Sequence, residues 1–217
     1  MNSEKSTHIY LIRHGESKGN VGSRYQHPNS PLNPKGREQA GMLSATLAHA
    51  GVKRIIASHY PRARETAAIL GSALGLAVEE NALFVEREKP SRLLNRRVDD
   101  VSVRPLYTQW VHSLFEEDEK AEDGESYADI IARVDEALQF MCALKETTAI
   151  CSHGFFIRAM LMRMIAGEGS SGQTLKHQYY GIAVDNCSIT HVVCQPLYIQ
   201  QQWRILSLNI TTHLCAQ

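Results

Sequence analysis

His8-Ile9-Tyr10-Leu11-Ile12-Arg13-His14-Gly15 is the stretch on which the reading of this 217-residue chain turns. An apolar, β-prone run stops abruptly at a cation, an imidazole and a glycine. A short apolar run closed by a turn signal predicts a strand buried on both faces. Such a strand delivers Arg13 and His14 to the loop at its carboxyl end.

Outward from that strand, Lys18 to Pro34 carry Gly, Asn, Ser and Pro repeatedly and predict an irregular loop. Met42, Leu43 and Leu47 mark the apolar stripe of a helix from about Gly36 to Ala50, ended by Gly51. Arg54 to Ser58 predict a second strand, and Pro61 suits the first turn of a helix running to Leu74, stopped by Gly75. Tyr127, Ile130, Ile131, Val134, Leu138 and Met141 recur at helical spacing behind Gly124-Glu125-Ser126. A strand at Thr148 to Cys151, a helix from Phe155 to Ile165 and a β-rich tail from Cys187 to Leu208 follow. Alternating strands and helices predict parallel pairing in a three-layer α/β/α sandwich with a mainly parallel sheet. Between Glu86 and Gly124 the periodicity gives way to Pro, Arg and acidic runs. The expectation is a single domain over residues 1–217, with a cap inserted at about 87–124.

Composition narrows the function. Lys plus Arg and Asp plus Glu number 23 each, so the overall field favours neither nucleic acid nor an acidic membrane. Any anion site must come from locally converging groups. Five cysteines (Cys142, Cys151, Cys187, Cys194 and Cys215) are scattered and include no C-x-x-C pair, which reads against a disulfide framework or zinc knuckle and for a reducing compartment. The apolar run near the N-terminus is too short for a signal-peptide core or a membrane span, so a cytoplasmic location is expected.

Ligands of open α/β sheets bind beyond the carboxyl ends of the strands. Arg13-His14-Gly15-Glu16, Ser58 with Arg62, and Ser152-His153-Gly154 are all expected there. Each glycine allows a sharp turn and lets backbone N–H groups approach an anion. Two imidazoles with two guanidiniums suit a phosphoryl group, since Arg supplies a bidentate fork and imidazole can accept the phosphoryl covalently. Zinc at His14 and His153 is disfavoured, because neither lies in a ligand-spaced pair and Arg13 would repel the metal. No metal and no cofactor is expected.

On these residues the chain resembles the histidine phosphatase superfamily, in the branch that includes phosphoglycerate mutase-like and fructose-2,6-bisphosphatase-like enzymes. Ile9 to Ser17 resemble its signature; Pro31 to Gly36 with Gln39-Ala40, Ser58 to Ala67, Gly124-Glu125-Ser126, Ser152 to Gly154 and Asn186-Cys187-Ser188 resemble its later landmarks in order. The resemblance implies a metal-independent phosphatase that hydrolyses phosphate monoesters through phospho-His14. Arg13, Arg62 and His153 would clamp the phosphate, with Asn20 and Gly154 also contacting substrate. Glu86 would donate the proton, with Glu88 as its rival. Lys89-Pro90-Ser91 after the acid and Asn33 in place of Thr or Ser depart from the family pattern.

The rival functions are a phosphoglycerate mutase and a catalytically weak protein that binds phosphorylated ligands. The expected partner is a phosphorylated small molecule or phosphoprotein, without nucleic acid or membrane; oligomeric state is open, a homodimer included. Arg92, Arg96, Arg97 and Arg104 either face the distal end of a substrate or are solvated loop charges. Glu116 to Glu119 with Glu122 and Asp123 read as a solvated face. Tyr107 and Trp110 are expected to pack the cap onto the domain.

Overall fold

Six strands form one sheet in the order β3-β2-β4-β1-β5-β6 in the computed structural model, which describes residues 6–117, 119–167, 171–173, 176, 181–197 and 200–214. The strands are β1 (Thr7–Arg13), β2 (Arg54–Ala57), β3 (Val78–Glu80), β4 (Thr148–Ser152), β5 (Ile189–Leu197) and β6 (Gln200–Ile210). The first four run parallel, and β5 and β6 add an antiparallel edge. Helices α1 (Pro34–Ala48) and α2 (Pro61–Leu74) pack on one face; α4 (Tyr127–Ala143) and α5 (Gly154–Ala166) pack on the other. This is the expected α/β/α sandwich.

The period-2 alternation of strands divides the core. Ile9 and Leu11 of β1, Ile56 of β2 and Ile150 of β4 pack under Ile130, Val134, Ile157 and Met160. Ile12, Ile55, Ala57, Ala149 and Cys151 point the other way, against Ala40, Leu43, Leu47, Ala67 and Leu70. All of β4 is buried, as expected of a central parallel strand.

Helix boundaries follow from local chemistry. Asn33 caps α1, its side chain accepting from Gly36 N at 2.8 Å. It also donates to Glu16 Oε1 at 2.8 Å, so the departure at this position links the cap to the loop after β1. Ser126 and Asp129 form a reciprocal capping box on α4, and Gly75 ends α2 in the left-handed region.

Three features differ from the expectations. Val78–Glu80 is a short edge strand paired with β2, where no strand was expected. Within residues 87–124, a helix α3 (Arg104–His112) buries Leu106 and Trp110 in a cluster with Tyr25, Leu93 and Val103, so the stretch is more ordered than its sequence suggested. Tyr107 packs against this cluster, stacked on Tyr25. Cys142 and Cys194 form a disulfide that ties α4 to β5, against the reading of an unpaired set, and with it the cysteine argument for a reducing compartment falls. Cys151 and Cys187 are free and buried; Cys215 lies outside the described residues. Among the described residues no helix is long and apolar enough to cross a membrane.

The loop after β1 packs backbone to backbone on the first turn of α1. A Cβ on Gly15 would overlap the Gly36 carbonyl, and one on Gly36 would overlap the Glu16 backbone. Neither neighbour can swing aside as a flexible side chain could. Gly36→Ala is expected to destabilise the protein by about 2–3 kcal/mol through overpacking. For a chain of this size that lowers the thermal midpoint by roughly 5–10 °C. An unchanged midpoint in thermal unfolding would show that the loop is not seated this closely.

Candidate active site

The register of β1 and β4 builds the centre of the site. Arg13 is paired with Ser152, so the next residues, His14 and His153, emerge side by side at the carboxyl ends of neighbouring parallel strands. Their ring centroids are 5.1 Å apart. The helix after β4 leaves on the face opposite α1 and α2, and this divergence opens the crevice.

His14 is buried, at 2% exposure, and both ring nitrogens have partners. Nδ1 lies 2.7 Å from the Gly15 carbonyl oxygen, which can only accept. Arg62 Nε, which can only donate, lies 3.1 Å from Nε2. The two contacts together require a neutral ring protonated on Nδ1, with the Nε2 lone pair facing Arg62. Burial holds His14 well below the usual imidazole range, and the charges of Arg62 and Arg13 push it the same way against the Gly15 hydrogen bond.

Arg62 stands in the first turn of α2 behind Pro61. Besides His14 it donates to the Pro28 carbonyl at 2.9 Å and lies over the Tyr60 ring at 5.0 Å. Burial lowers its pKa to about 10, which leaves it charged at neutral pH. Thr66 on the same helix accepts from Gly15 N at 3.0 Å and donates to Arg62 O, tying α2 to the His14 loop. Arg13 donates to the Val184 carbonyl at 2.7 Å, and its guanidinium lies where a Cβ on Gly154 would crowd it.

His153 is fully buried; its Nε2 lies 2.8 Å from Ser58 Oγ, and its Nδ1 has no hydrogen-bond partner among the described residues. A buried nitrogen left so costs about 1–3 kcal/mol, which an anion's proton or oxygen would offset. Burial first, then Arg62, His14, Arg133 and Arg13, hold its pKa well below the usual value.

Glu86 follows the 3-10 turn Ala82–Phe84 and reaches the N-terminus of α5. Its carboxylate accepts from Phe156 N at 3.2 Å, Phe155 N at 3.4 Å and Arg87 N at 3.1 Å. It lines a cavity of about 410 Å³ together with Arg13 and His14, and also a second cavity of about 240 Å³ with Arg62. Glu88 is exposed and lines only the second. Asn20 lines the larger cavity, its Oδ1 accepting from Ser17 N and Oγ at 2.9 Å each, and it therefore also holds a turn.

Arg92, Arg96 and Arg97 are exposed and paired with Glu122, Asp100 and Asp99, the behaviour of solvated loop charges. The cavity cations from this region are instead Arg87, which the sequence reading did not name, and Lys89, which it noted only within a departure from the family pattern. Asn186 was noted only as a landmark; its Nδ2 donates to His14 O at 2.9 Å, while Cys187, at φ 54°, donates to Arg13 O. Among the described residues no group of three or more His, Cys, Asp or Glu forms a metal site.

Known proteins resemble the chain in sequence and in fold. The chain is 28% identical over 212 residues to a probable phosphoglycerate mutase GpmB of Serratia proteamaculans, covering 95% of this chain and 94% of that protein. Its fold matches a putative alpha-ribazole-5'-P phosphatase of Escherichia coli with a TM-score of 0.78, at 21% identity over 95% of this chain and 97% of the other. A mycobacterial glucosyl-3-phosphoglycerate phosphatase matches with a TM-score of 0.76, at 22% identity over 94% and 100%. Residues 9–211 match the sequence profile of the histidine phosphatase superfamily (branch 1), and the chain belongs to that superfamily as a phosphomonoesterase of the histidine type.

Proposed function

We propose that the protein hydrolyses phosphate monoesters through a phosphohistidine at His14, without a metal. The observation that carries this reading is the pair of contacts fixing His14 as the Nδ1–H tautomer, with its Nε2 lone pair turned into the arginine-lined crevice. A phosphoryl group entering there replaces the Nε2 contact and takes Arg62 as a ligand. Arg13, Arg62 and His153 surround its oxygens, supplying the charge stabilisation that phosphoryl transfer needs. Nε2 attacks phosphorus in line, the N–P bond forms as the ester P–O bond breaks, and Glu86 delivers a proton to the departing oxygen. In the second step Glu86, now ionised, takes a proton from water as its oxygen attacks phosphorus and the N–P bond breaks. Residues 87–124 act as a cap on the leaving-group side, with Trp110 donating to the Glu88 carbonyl at 2.9 Å.

Phosphoglycerate mutase is the second reading, favoured by the name of the Serratia relative. The two part on product: a mutase interconverts the positional isomers of phosphoglycerate, a phosphatase releases inorganic phosphate from either.

Acid-quenched enzyme loses a phosphoramidate label and base-quenched enzyme keeps it, so labelling with a radioactive ester should show that profile. His14→Ala is expected to lower turnover at least 10³-fold and to abolish the label; a label that persists in this variant overturns the assignment.

Glu86→Gln should slow alkyl phosphates about 10²–10⁴-fold, the usual contribution of a general acid. Aryl phosphates, whose leaving groups need little protonation, should lose far less. If Glu88→Gln shows that selectivity and Glu86→Gln does not, the proton donor is Glu88.

Burial of two neutral imidazoles also sets a pH dependence. Both His14 and His153 have folded pKa values below the ordinary value of about 6.5. Between the two values the unfolded chain binds more protons, so stability rises with pH through that window. It is complete above about pH 6.5 and declines as pH falls toward the folded values. Thermal midpoints should drop from pH 7 to pH 5, and the His14→Asn/His153→Asn double variant should show a shallower slope. Equal slopes would mean that the histidines do not carry the effect.

A further inference from the structure

The whole chain is electrically balanced, yet the larger cavity is lined by five cations, Arg13, Arg24, Arg87, Lys89 and Arg158, against the single carboxylate of Glu86. One phosphate dianion held by Arg13 and Arg62 leaves most of that charge unanswered. The arginines around it are engaged by the protein itself. Arg87 donates to the carbonyls of Trp110 and Glu125 and to Ser113 Oγ, Arg24 to the Asn95 carbonyl and Arg158 to the Ile182 carbonyl.

Lys89 is different. Its ammonium lies 5.0 Å from the centroid of the Trp110 ring, which also carries Arg87 at 4.1 Å. It makes no hydrogen bond or ion pair with a described residue. Burial and the neighbouring charges of Arg62 and Arg87 lower its pKa, with Glu86 opposing them. It also stands on the seam of the site: both cavities are walled by Gln26, Glu86, Arg87 and Lys89. The smaller cavity adds Glu88 and Asp123, but Asp123 is engaged by Ser91 N at 2.9 Å. A partly buried cation that is crowded by like charges and makes no ion pair with a described residue is what an anion from solution would complete.

We propose that Lys89 receives a second anionic group, a carboxylate or a second phosphate, carried by the leaving group of the substrate. This rests on the phosphatase reading for the scissile phosphate, and it makes Lys89 the residue that selects among esters. The departure from the family pattern at Lys89-Pro90-Ser91 then has a purpose in substrate choice.

The test compares 3-phosphoglycerate, 2,3-bisphosphoglycerate and glycerol 3-phosphate. The first and third differ by a carboxylate against a hydroxymethyl group, and the second adds a phosphate. In the wild-type protein at least one of the two esters that carry an anionic group beyond the scissile phosphate should exceed glycerol 3-phosphate in kcat/KM by about tenfold or more, the worth of one charge-assisted contact. A gain with 3-phosphoglycerate identifies the carboxylate, and a gain with 2,3-bisphosphoglycerate alone identifies the second phosphate. Lys89→Met should bring the ratio to within about twofold of one, and Lys89→Arg should restore most of it. A wild-type ratio near one, or a ratio unchanged in Lys89→Met, overturns the proposal. Dissociation constants for the same three esters, measured by calorimetry on His14→Ala, read the preference without turnover. If no ester is hydrolysed but the binding ratio holds and depends on Lys89, the phosphatase reading fails and the second-anion site stands. If esters are hydrolysed and neither ratio exceeds one, the reverse is true.

Discussion

The pairing of Arg13 with Ser152 across β1 and β4 is the constraint on which the site depends. Parallel strands hold their registers through evenly spaced hydrogen bonds, and a slip of one residue would turn every side chain of β1 to the opposite face. Such a slip would drive Tyr10 and Ile12 into the space of Ile9 and Leu11 and would separate His14 from His153. The two apolar clusters on either side of the sheet therefore specify the spacing of two imidazoles that belong to neither cluster. Core packing and chemistry are linked here by a single ladder of backbone bonds.

Holding that register leaves a concentrated charge problem. Arg62 is almost fully buried beside His14, and among the described residues no carboxylate forms an ion pair with it. It is accommodated by the Pro28 carbonyl, the Tyr60 ring and the neutral form of His14. Carbonyl oxygens and ring faces offset a cation without neutralising it, so the field survives for an incoming phosphate. A buried Arg–carboxylate pair would be electrically closed and would have to be broken on binding.

Much of this was legible in the sequence because its signals are local. The apolar run into Arg13-His14-Gly15, Pro61 before Arg62 and Ser152-His153-Gly154 each combine a period with a Gly or Pro stop, and the structure places all three at one sheet edge. What was not legible depends on partners distant in the chain. Val78-Glu79-Glu80 has two acids in three residues and becomes a strand only by pairing with β2, where Arg54 meets Glu79. Cys142 and Cys194 are 52 residues apart, and only the packing of α4 on the sheet brings them together. Arg87 and Lys89 sit in the run Glu86-Arg87-Glu88-Lys89, whose alternating charges look like a solvated surface. Their placement is set by Trp110, and α3, which carries Trp110, was itself obscured by Pro105 and the flanking charges.

In the proposed mechanism that run would serve both chemistry and selection. Alternation sends Glu86 toward the N-terminus of α5 and Arg87 into the buried contacts with Trp110, Ser113 and Glu125. Glu125 in turn is held by Arg133 through two bonds of 2.9 and 2.7 Å, and Arg133 Nη1 donates to the carbonyls of Leu83 and Val85 just before Glu86. The carboxylate at position 86 is thus fixed from both sides: by Arg133 through the backbone before it, and by Arg87 through the residue after it. A rigid mounting of this kind suits a group that must meet a departing oxygen within hydrogen-bond reach. It also means that α3 cannot shift without moving Arg87, so any substrate that displaces Trp110 would disturb Glu86 as well. In the proposed mechanism, selection on the leaving-group side and proton delivery by Glu86 would therefore be coupled through one indole ring.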